Sequence, residues 1–316
     1  MISNRLLDGR IRMRHLILVT TVAEARSLVG AATALNVTQP FVSRGLQEIE
    51  RALSVRLFER GPRGVKPTAE GEIFLEYAWV VLNTLRRAGE HLDEVNMASS
   101  GVVSVGANLA AAHFLLPKAI VDLKSMYPTM TVSVFEAYQE RLIALLNRDE
   151  LDLLVGRLPR VRLPEHRYLP LYDEPLTLVV RRGHPAIDRP VELSELLNYP
   201  WVLPCASSMV RPALDEMFTS NGFPLPRNLI ECSSIVTTKP ILLASDAIAS
   251  LPMLVASTDD ELDILPIPLD MIPGQMGIIM KRDAPLNRAK MRLIDSLTTV
   301  ADSHVSPFLR PAEKVF

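Results

Sequence analysis

Gln39, Ser43 and Arg44 lie within six consecutive residues, and their side chains carry the chemistry of base recognition. A glutamine amide pairs bidentately with the edge of adenine, a guanidinium pairs with guanine O6 and N7 or with a phosphate, and a hydroxyl supports either contact. Gln47 and Arg51 extend the same set one and two turns beyond Arg44. A second group is scattered along the chain: Asn108, Leu109 and Ala110, then Gly156 and Arg157, then Cys205, Ser207 and Ser208, then Ser233 and Ser234. Serine hydroxyls beside the bare N–H groups that open a helix make a site for a carboxylate or a sugar hydroxyl, with Arg157 as a fitting counter-charge. The same serines serve equally as plain helix caps, and Arg157 as a surface residue flanking Pro159.

Enzyme chemistry is not expected. The six histidines, His15, His91, His113, His166, His184 and His304, fall on different stretches, and no HExxH, GxSxG, Walker A or GxGxxG segment occurs. Cys205 and Cys232 stand 27 positions apart without CxxC spacing, which argues against a zinc site or disulfide framework and for reduced thiols. Neither a metal nor a cofactor is called for. A redox-sensing alternative would rest on those two thiols alone.

The base-reading set needs a helix to present it. Thr38-Gln39-Pro40 opens one, since Thr caps a helix start well and Pro is harmless in the first turn. It runs to about Leu53, with Val42, Leu46, Ile49 and Leu53 at i, i+4, i+7 and i+11 as one buried stripe, which leaves Gln39, Ser43, Arg44, Gln47 and Arg51 on the other side. Ahead of it come a helical stretch from Arg14 to Ala25, a helix from Leu28 to Leu35 capped by Ser27, and a tight turn at Asn36-Val37. Together these predict a helix-turn-helix whose recognition helix starts at Thr38, with Thr38, Pro40, Ser27 and Ala32 joining the candidate contacts. Two extended pieces around Gly61–Gly64 predict a wing that carries Arg60, Arg63 and Lys66 toward a phosphate backbone; Arg60 has an alternative partner in a carboxylate of the helix. Thr68 then caps a long helix whose Phe74, Tyr77, Val81, Leu85, Ala88, Leu92 and Val95 recur at gaps of three or four. Such a stripe predicts a helix-helix dimer seam, with packing on the chain's own body as the other possibility.

From Val102 onward short β-rich runs alternate with helices. The runs are 102–107, 131–137, 151–155, 176–181, 201–203, 247–251, 262–267 and 277–280, with helices near 115–126, 139–148, 210–221, 235–244 and 288–301. Alternation of this kind predicts an α/β architecture of parallel sheets covered on both faces. About 200 residues make room for two lobes, with a ligand crevice beyond the carboxyl ends of the strands. The expected divisions are a DNA-binding domain at 12–69, a linker helix at 70–100 and an effector-binding domain at 101–306, its first lobe 101–172 plus 270–306 and its second 173–269.

Composition fits this plan. The chain has 316 residues, 48% of them hydrophobic, with a net charge of −2 and a mean hydropathy of +0.18, which suits about two packed domains and excludes a disordered chain. The charge is unevenly spread. Residues 1–66 hold eleven Lys and Arg against five acids, net +6, and the other 250 residues are net −8, as expected when one end meets phosphate. No apolar run reaches the length of a membrane span, and the first ten residues lack a signal-peptide core, which predicts a cytoplasmic protein without membrane partners.

The motifs Arg14-His15-Leu16, Ala31-Ala32-x-x-Leu35-Asn36-Val37-Thr38-Gln39-Pro40, Ser43-Arg44, Leu57-Phe58-Glu59-Arg60, Arg63-Gly64-Val65 and Thr68-x-x-Gly71 together resemble the LysR-type transcriptional regulators. Weaker likeness continues through Asp173-Glu174-Pro175-Leu176, Gly183-His184-Pro185, Trp201-Val202-Leu203-Pro204 and Ala249-x-Leu251-Pro252. Within that family the chain looks most like regulators of sugar or aromatic-acid catabolism. The resemblance implies a winged helix-turn-helix, a dimerising linker helix and a two-lobed effector domain of the periplasmic-binding-protein kind, assembled as a homodimer or homotetramer on promoter DNA. It further implies a small-molecule inducer and RNA polymerase as partners. Gly45 and Gln47 depart from the usual polar and basic residues, and Gly45 costs about 1 kcal/mol of helix stability relative to Ala. Besides redox sensing, the alternative is a cytoplasmic small-molecule-binding module.

Overall fold

The structure is a computed structural model that describes residues 6, 9–61, 64–97, 101–187, 191–267, 269 and 274–305. It divides into two compact units, the first formed mainly by residues 1–99 and the second mainly by residues 100–316.

In the first unit, α1 (Met13–Ala25), α2 (Leu28–Ala34) and α3 (Gln39–Leu53) close around Leu18, Val19, Val22, Ala31, Val42, Leu46, Ile49 and Leu53. The chain leaves α1 and α3 through left-handed residues, Arg26 at φ 50° and Ser54 at φ 60°, and turns between α2 and α3 at Asn36, φ 53°; Asn tolerates that conformation better than most residues. Ser27 caps α2 by accepting from Gly30 N at 3.3 Å. Thr38 holds the cap position of α3 without a side-chain capping bond, so Pro40 and the buried stripe start this helix rather than the threonine hydroxyl. Gly45 is a packing position: a β-carbon there would meet Leu18 Cδ1 at 2.7 Å. It lets α1 and α3 approach, which gives glycine at this position a steric reason.

Strands β1 (Phe58–Gly61) and β2 (Gly64–Pro67) pair antiparallel, and Glu50 Oε1 accepts from Leu57 N at 2.8 Å and Phe58 N at 3.3 Å. A carboxylate on the recognition helix thus fixes the root of the wing. The long helix α4 (Ala69–Met97) is capped by Thr68, which accepts from Gly71 N at 3.0 Å.

The second unit holds two five-stranded sheets. The first runs in the order β4 (Thr131–Glu136), β3 (Val102–Ala107), β5 (Leu153–Arg157), β12 (Gln275–Lys281), β6 (His166–Asp173). The second runs β11 (Leu262–Ile264), β7 (Leu176–Arg181), β10 (Ile248–Pro252), β8 (Trp201–Leu203), β9 (Leu229–Glu231). In the first, α5 (Leu116–Met126) and α11 (Arg288–Val300) share one apolar core, while α6 (Gln139–Asn147) covers the other. In the second, α8 (Arg211–Ser220) and the short α7 (Leu193–Leu196) pack on one face, and α9 (Ile235–Leu243) with α10 (Met253–Ser257) on the other.

The expectation of purely parallel sheets is corrected, because both are mixed. β12 enters antiparallel between β5 and β6, and β7 lies antiparallel to β10 and β11. The reason is connectivity: the chain crosses to the second sheet after β6 and returns as β12, and strands that arrive from another lobe are not bound by the βαβ crossover rule. Two strands escaped the sequence pattern. β6 contains Pro170, tolerated because the strand lies at a sheet edge beside a register shift at Met276/Gly277, and β9 is an edge strand of three residues.

Candidate nucleic-acid interface and effector cleft

On α3 the side opposite the buried stripe presents Pro40, Arg44, Gln47 and Arg51, all exposed. Arg44 Nε donates to Pro40 O at 3.3 Å and Arg51 Nε to Gln47 O at 3.2 Å, which aligns both guanidinium groups along the helix. Gln39 is exposed on the first turn. Ser43 lies at the margin, and its Oγ accepts from Arg60 Nη2 at 3.3 Å. Arg60 of the wing is therefore docked on a hydroxyl of the recognition helix rather than on a helix carboxylate. Lys66 is exposed on β2, whereas Arg63 lies outside the described residues. Ser27 is half-buried and spent as a cap. Ala32 is a correction: it is 5% exposed and belongs to the core, so its methyl cannot touch DNA without unpacking α2. Phe41 and Val37, which were not among the sequence candidates, are exposed as well.

Along α4 the residues Tyr77, Val81, Leu85, Ala88 and Leu92 are exposed. Phe74 instead packs on the domain core together with buried Leu75, and the side chain of Val95 is outside the described set.

In the second unit a cavity of about 540 Å³ opens beyond the strand ends of the two sheets, within the size range of small-metabolite sites. Asn108, Leu109, Ala110, Ser207, Ser208, Ser233 and Ser234 all line it. Asn108 Oδ1 accepts from Ala111 N at 3.1 Å, which ties its amide to the start of a π-helical turn, Ala111–Leu115. Ser234 occupies the cap position of α9 but makes no side-chain capping bond. Among the contributors that sequence reasoning missed are Ser250, Thr238 and a segment 136–141 that brings Glu136, Glu140 and Arg141 to the wall, and Cys232 lines it as well. Ser250 is buried and its Oγ has no hydrogen-bond partner; the sole signal is one hydroxyl in an otherwise apolar strand, Ile248-Ala249-Ser250-Leu251-Pro252.

Three sequence-predicted residues behave differently from expectation. Gly156 is buried behind Asn108, where a β-carbon would approach the amide at 3.2 Å, and it does not line the cavity. Cys205 does not line it either; its N–H donates to Ser233 Oγ at 3.0 Å. Arg157 borders the cavity, but its guanidinium turns into the crossing between the lobes. There Nη2 donates to Glu174 O at 3.1 Å, and Nη1 is buried without a hydrogen-bond partner among the described residues. Glu174 N donates to Gly274 O at 2.5 Å, which ties the two crossing segments together. The Glu174 carboxyl is fully buried; Oε1 accepts from Leu254 N at 2.9 Å, and Oε2, with the Tyr172 phenol beside it, has no partner of good hydrogen-bond geometry among the described residues. Burial pushes its pKa up to about 7, against the opposing pull of the Leu254 N–H and Arg157. Burial, then the nearby carboxylate, likewise pushes the Tyr172 phenol up.

Comparison with known proteins identifies the family of both units. The description "Bacterial regulatory helix-turn-helix protein, lysR family" matches residues 13–72, and "LysR substrate binding domain" matches residues 98–302. The chain is 30% identical over 307 residues to the HTH-type transcriptional regulator GbpR of Azospirillum brasilense, covering 95% of this chain and 90% of that one. It is 32% identical over 299 residues to the uncharacterized HTH-type transcriptional regulator YdcI of Escherichia coli K12, covering 93% and 97%. Its fold is that of the LysR family transcriptional regulator CbnR, with a TM-score of 0.68 at 22% identity over 92% of this chain and 99% of that one. A helix-turn-helix unit and a two-lobed substrate-binding unit, each matched along its length, place this chain in the LysR family of bacterial transcriptional regulators.

Proposed function

We propose that the protein is a cytoplasmic regulator whose grip on promoter DNA is switched by a small polar metabolite, a carboxylate or a sugar, bound in the cleft. Gln39, Pro40, Ser43, Arg44 and Gln47 read the major groove, with Thr38 beside them, and Arg60, Arg63 and Lys66 hold the phosphates. Support comes from the exposed guanidinium and amide groups of α3, and from a solved complex of the structural relative CbnR with its target DNA, TM-score 0.67.

The observation that carries the effector reading is Ser250 Oγ, a buried hydroxyl without a partner in the wall of a 540 Å³ cavity that also collects Ser207, Ser208, Ser233 and Ser234. Buried polar groups are nearly always bonded, so a bound hydroxyl or carboxylate is its natural complement. The exposed Arg141 offers the cation that Arg157 keeps within the hinge, while Glu136 and Glu140 on the same wall favour ligand hydroxyls. The apolar stripe of α4 pairs two chains, two such pairs form the tetramer, and closure of the lobes changes the bend of the promoter and its access to RNA polymerase. A thermal-shift screen of sugars and small carboxylates, followed by footprinting of the DNA upstream of the gene with and without each hit, tests this. Hits that stabilise the protein yet leave footprint and bending unchanged would refute the switch.

A further inference from the structure

Phe41 is out of character on its helix. α3 turns Val42, Leu46, Ile49 and Leu53 into the core, and Gln39, Arg44, Gln47, Glu48 and Arg51 are exposed. Among them Phe41 is 48% exposed, and Val37 in the preceding turn is 37% exposed. With exposed Pro40 between them, the start of the helix ends in an apolar tip ringed by amide and guanidinium groups. At 100° per residue Phe41 lies about 60° around the axis from Arg44, so both side chains leave the same flank of the helix one turn apart.

A lone surface phenylalanine is common in folded proteins, and exposure alone would carry nothing. Its position does. The first turn of a recognition helix is the part that meets base edges, and the apolar group that base pairs present in the major groove is the C5 methyl of thymine. The basic head around it, net +6 over residues 1–66, supplies the attraction that brings a duplex to this tip.

We propose that Phe41 is a specificity-determining residue that packs on a thymine methyl beside the group bound by Arg44, and so selects T·A at one position of each half-site. This rests on α3 being the helix that enters the groove. The test uses the full-length protein to select sites from a random duplex library, then replaces each thymine of the selected site by deoxyuridine, which deletes only the methyl. One thymine per half-site is expected to lose about fourfold in affinity, the equivalent of one buried methyl at about 0.8 kcal/mol. Phe41→Ala should abolish that sensitivity and Phe41→Leu should keep part of it. Indifference of the unmodified protein to every deoxyuridine, or a sensitivity that Phe41→Ala leaves intact, overturns the proposal. Arg44→Ala separates the two failures: undiminished binding by that variant means α3 is not the reading helix, whereas a loss with Arg44→Ala and silence at every methyl removes only the role of Phe41. A library from which no sequence is enriched removes both.

Discussion

Arg157 Nη1 fills the space that a side chain at Gly274 would need: a β-carbon at 274 would stand 1.2 Å from it and 2.6 Å from Glu174 O. An arginine at the end of one strand and a glycine on the returning crossing thereby share one packed space where the chain passes between the two sheets. Gly274→Ala must expel the guanidinium or spread the crossing, and overpacking of this kind costs about 1–3 kcal/mol. Urea unfolding of Gly274→Ala, Arg157→Ala and the double variant measures it. The glycine substitution should cost less in the Arg157→Ala background, and strict additivity would mean that the two residues do not compete for one space.

Glu174 makes stability depend on pH. Its carboxyl binds a proton more tightly in the folded protein, with a pKa near 7, than in the unfolded chain. The folded state therefore holds more protons, and stability falls as pH rises from the unfolded value near 4.5 through 7. At 1.36 kcal/mol per unit the loss is on the order of 3 kcal/mol. Glu174→Gln, neutral throughout, should flatten this slope and be the more stable protein at pH 8. Equal slopes in thermal unfolding between pH 5 and 8 would contradict the assignment.

Ser250→Ala removes a buried hydroxyl that has no partner among the described residues. Unliganded stability should change by less than about 1 kcal/mol, while the stabilisation produced by a true effector drops. Ser208→Ala, in the same wall, should also blunt the response and leave operator binding intact. A large loss of unliganded stability would assign these serines to folding.

Arg44→Ala should lower operator affinity by about 1–3 kcal/mol and relax base preference at one position. Lys66→Ala, on the wing, should weaken binding evenly across sequences and reduce the slope of log affinity against log salt by about one. Fluorescence anisotropy at several salt concentrations distinguishes these outcomes.

The exposed row of Tyr77, Val81, Leu85 and Leu92 on α4 gives a fifth expectation. On the proposed pairing of chains through α4, Leu85→Glu places a charge in the contact, so light scattering should register a smaller assembly. An unchanged mass would locate the subunit contact elsewhere.

The first unit was legible in the sequence because its signals are short-range. Val42, Leu46, Ile49 and Leu53 announce a buried stripe by spacing alone, and Ser27 and Thr68 act as caps within three residues of the groups they bond. What failed there was the assignment of faces: nothing in the sequence says that Ala32 points inward or that Gly45 exists to admit Leu18. The cleft was half legible. Serines at helix starts could be named, but Ser250 and the 136–141 wall join them only when two sheets meet. The same holds for the hinge, where Met276 pairs with Arg157 across more than a hundred residues of chain. Local periodicity and capping are written residue by residue and fix the DNA-binding helices. Strand direction, and which polar atoms are buried together, follow from pairings between distant segments, and those only the tertiary structure decided.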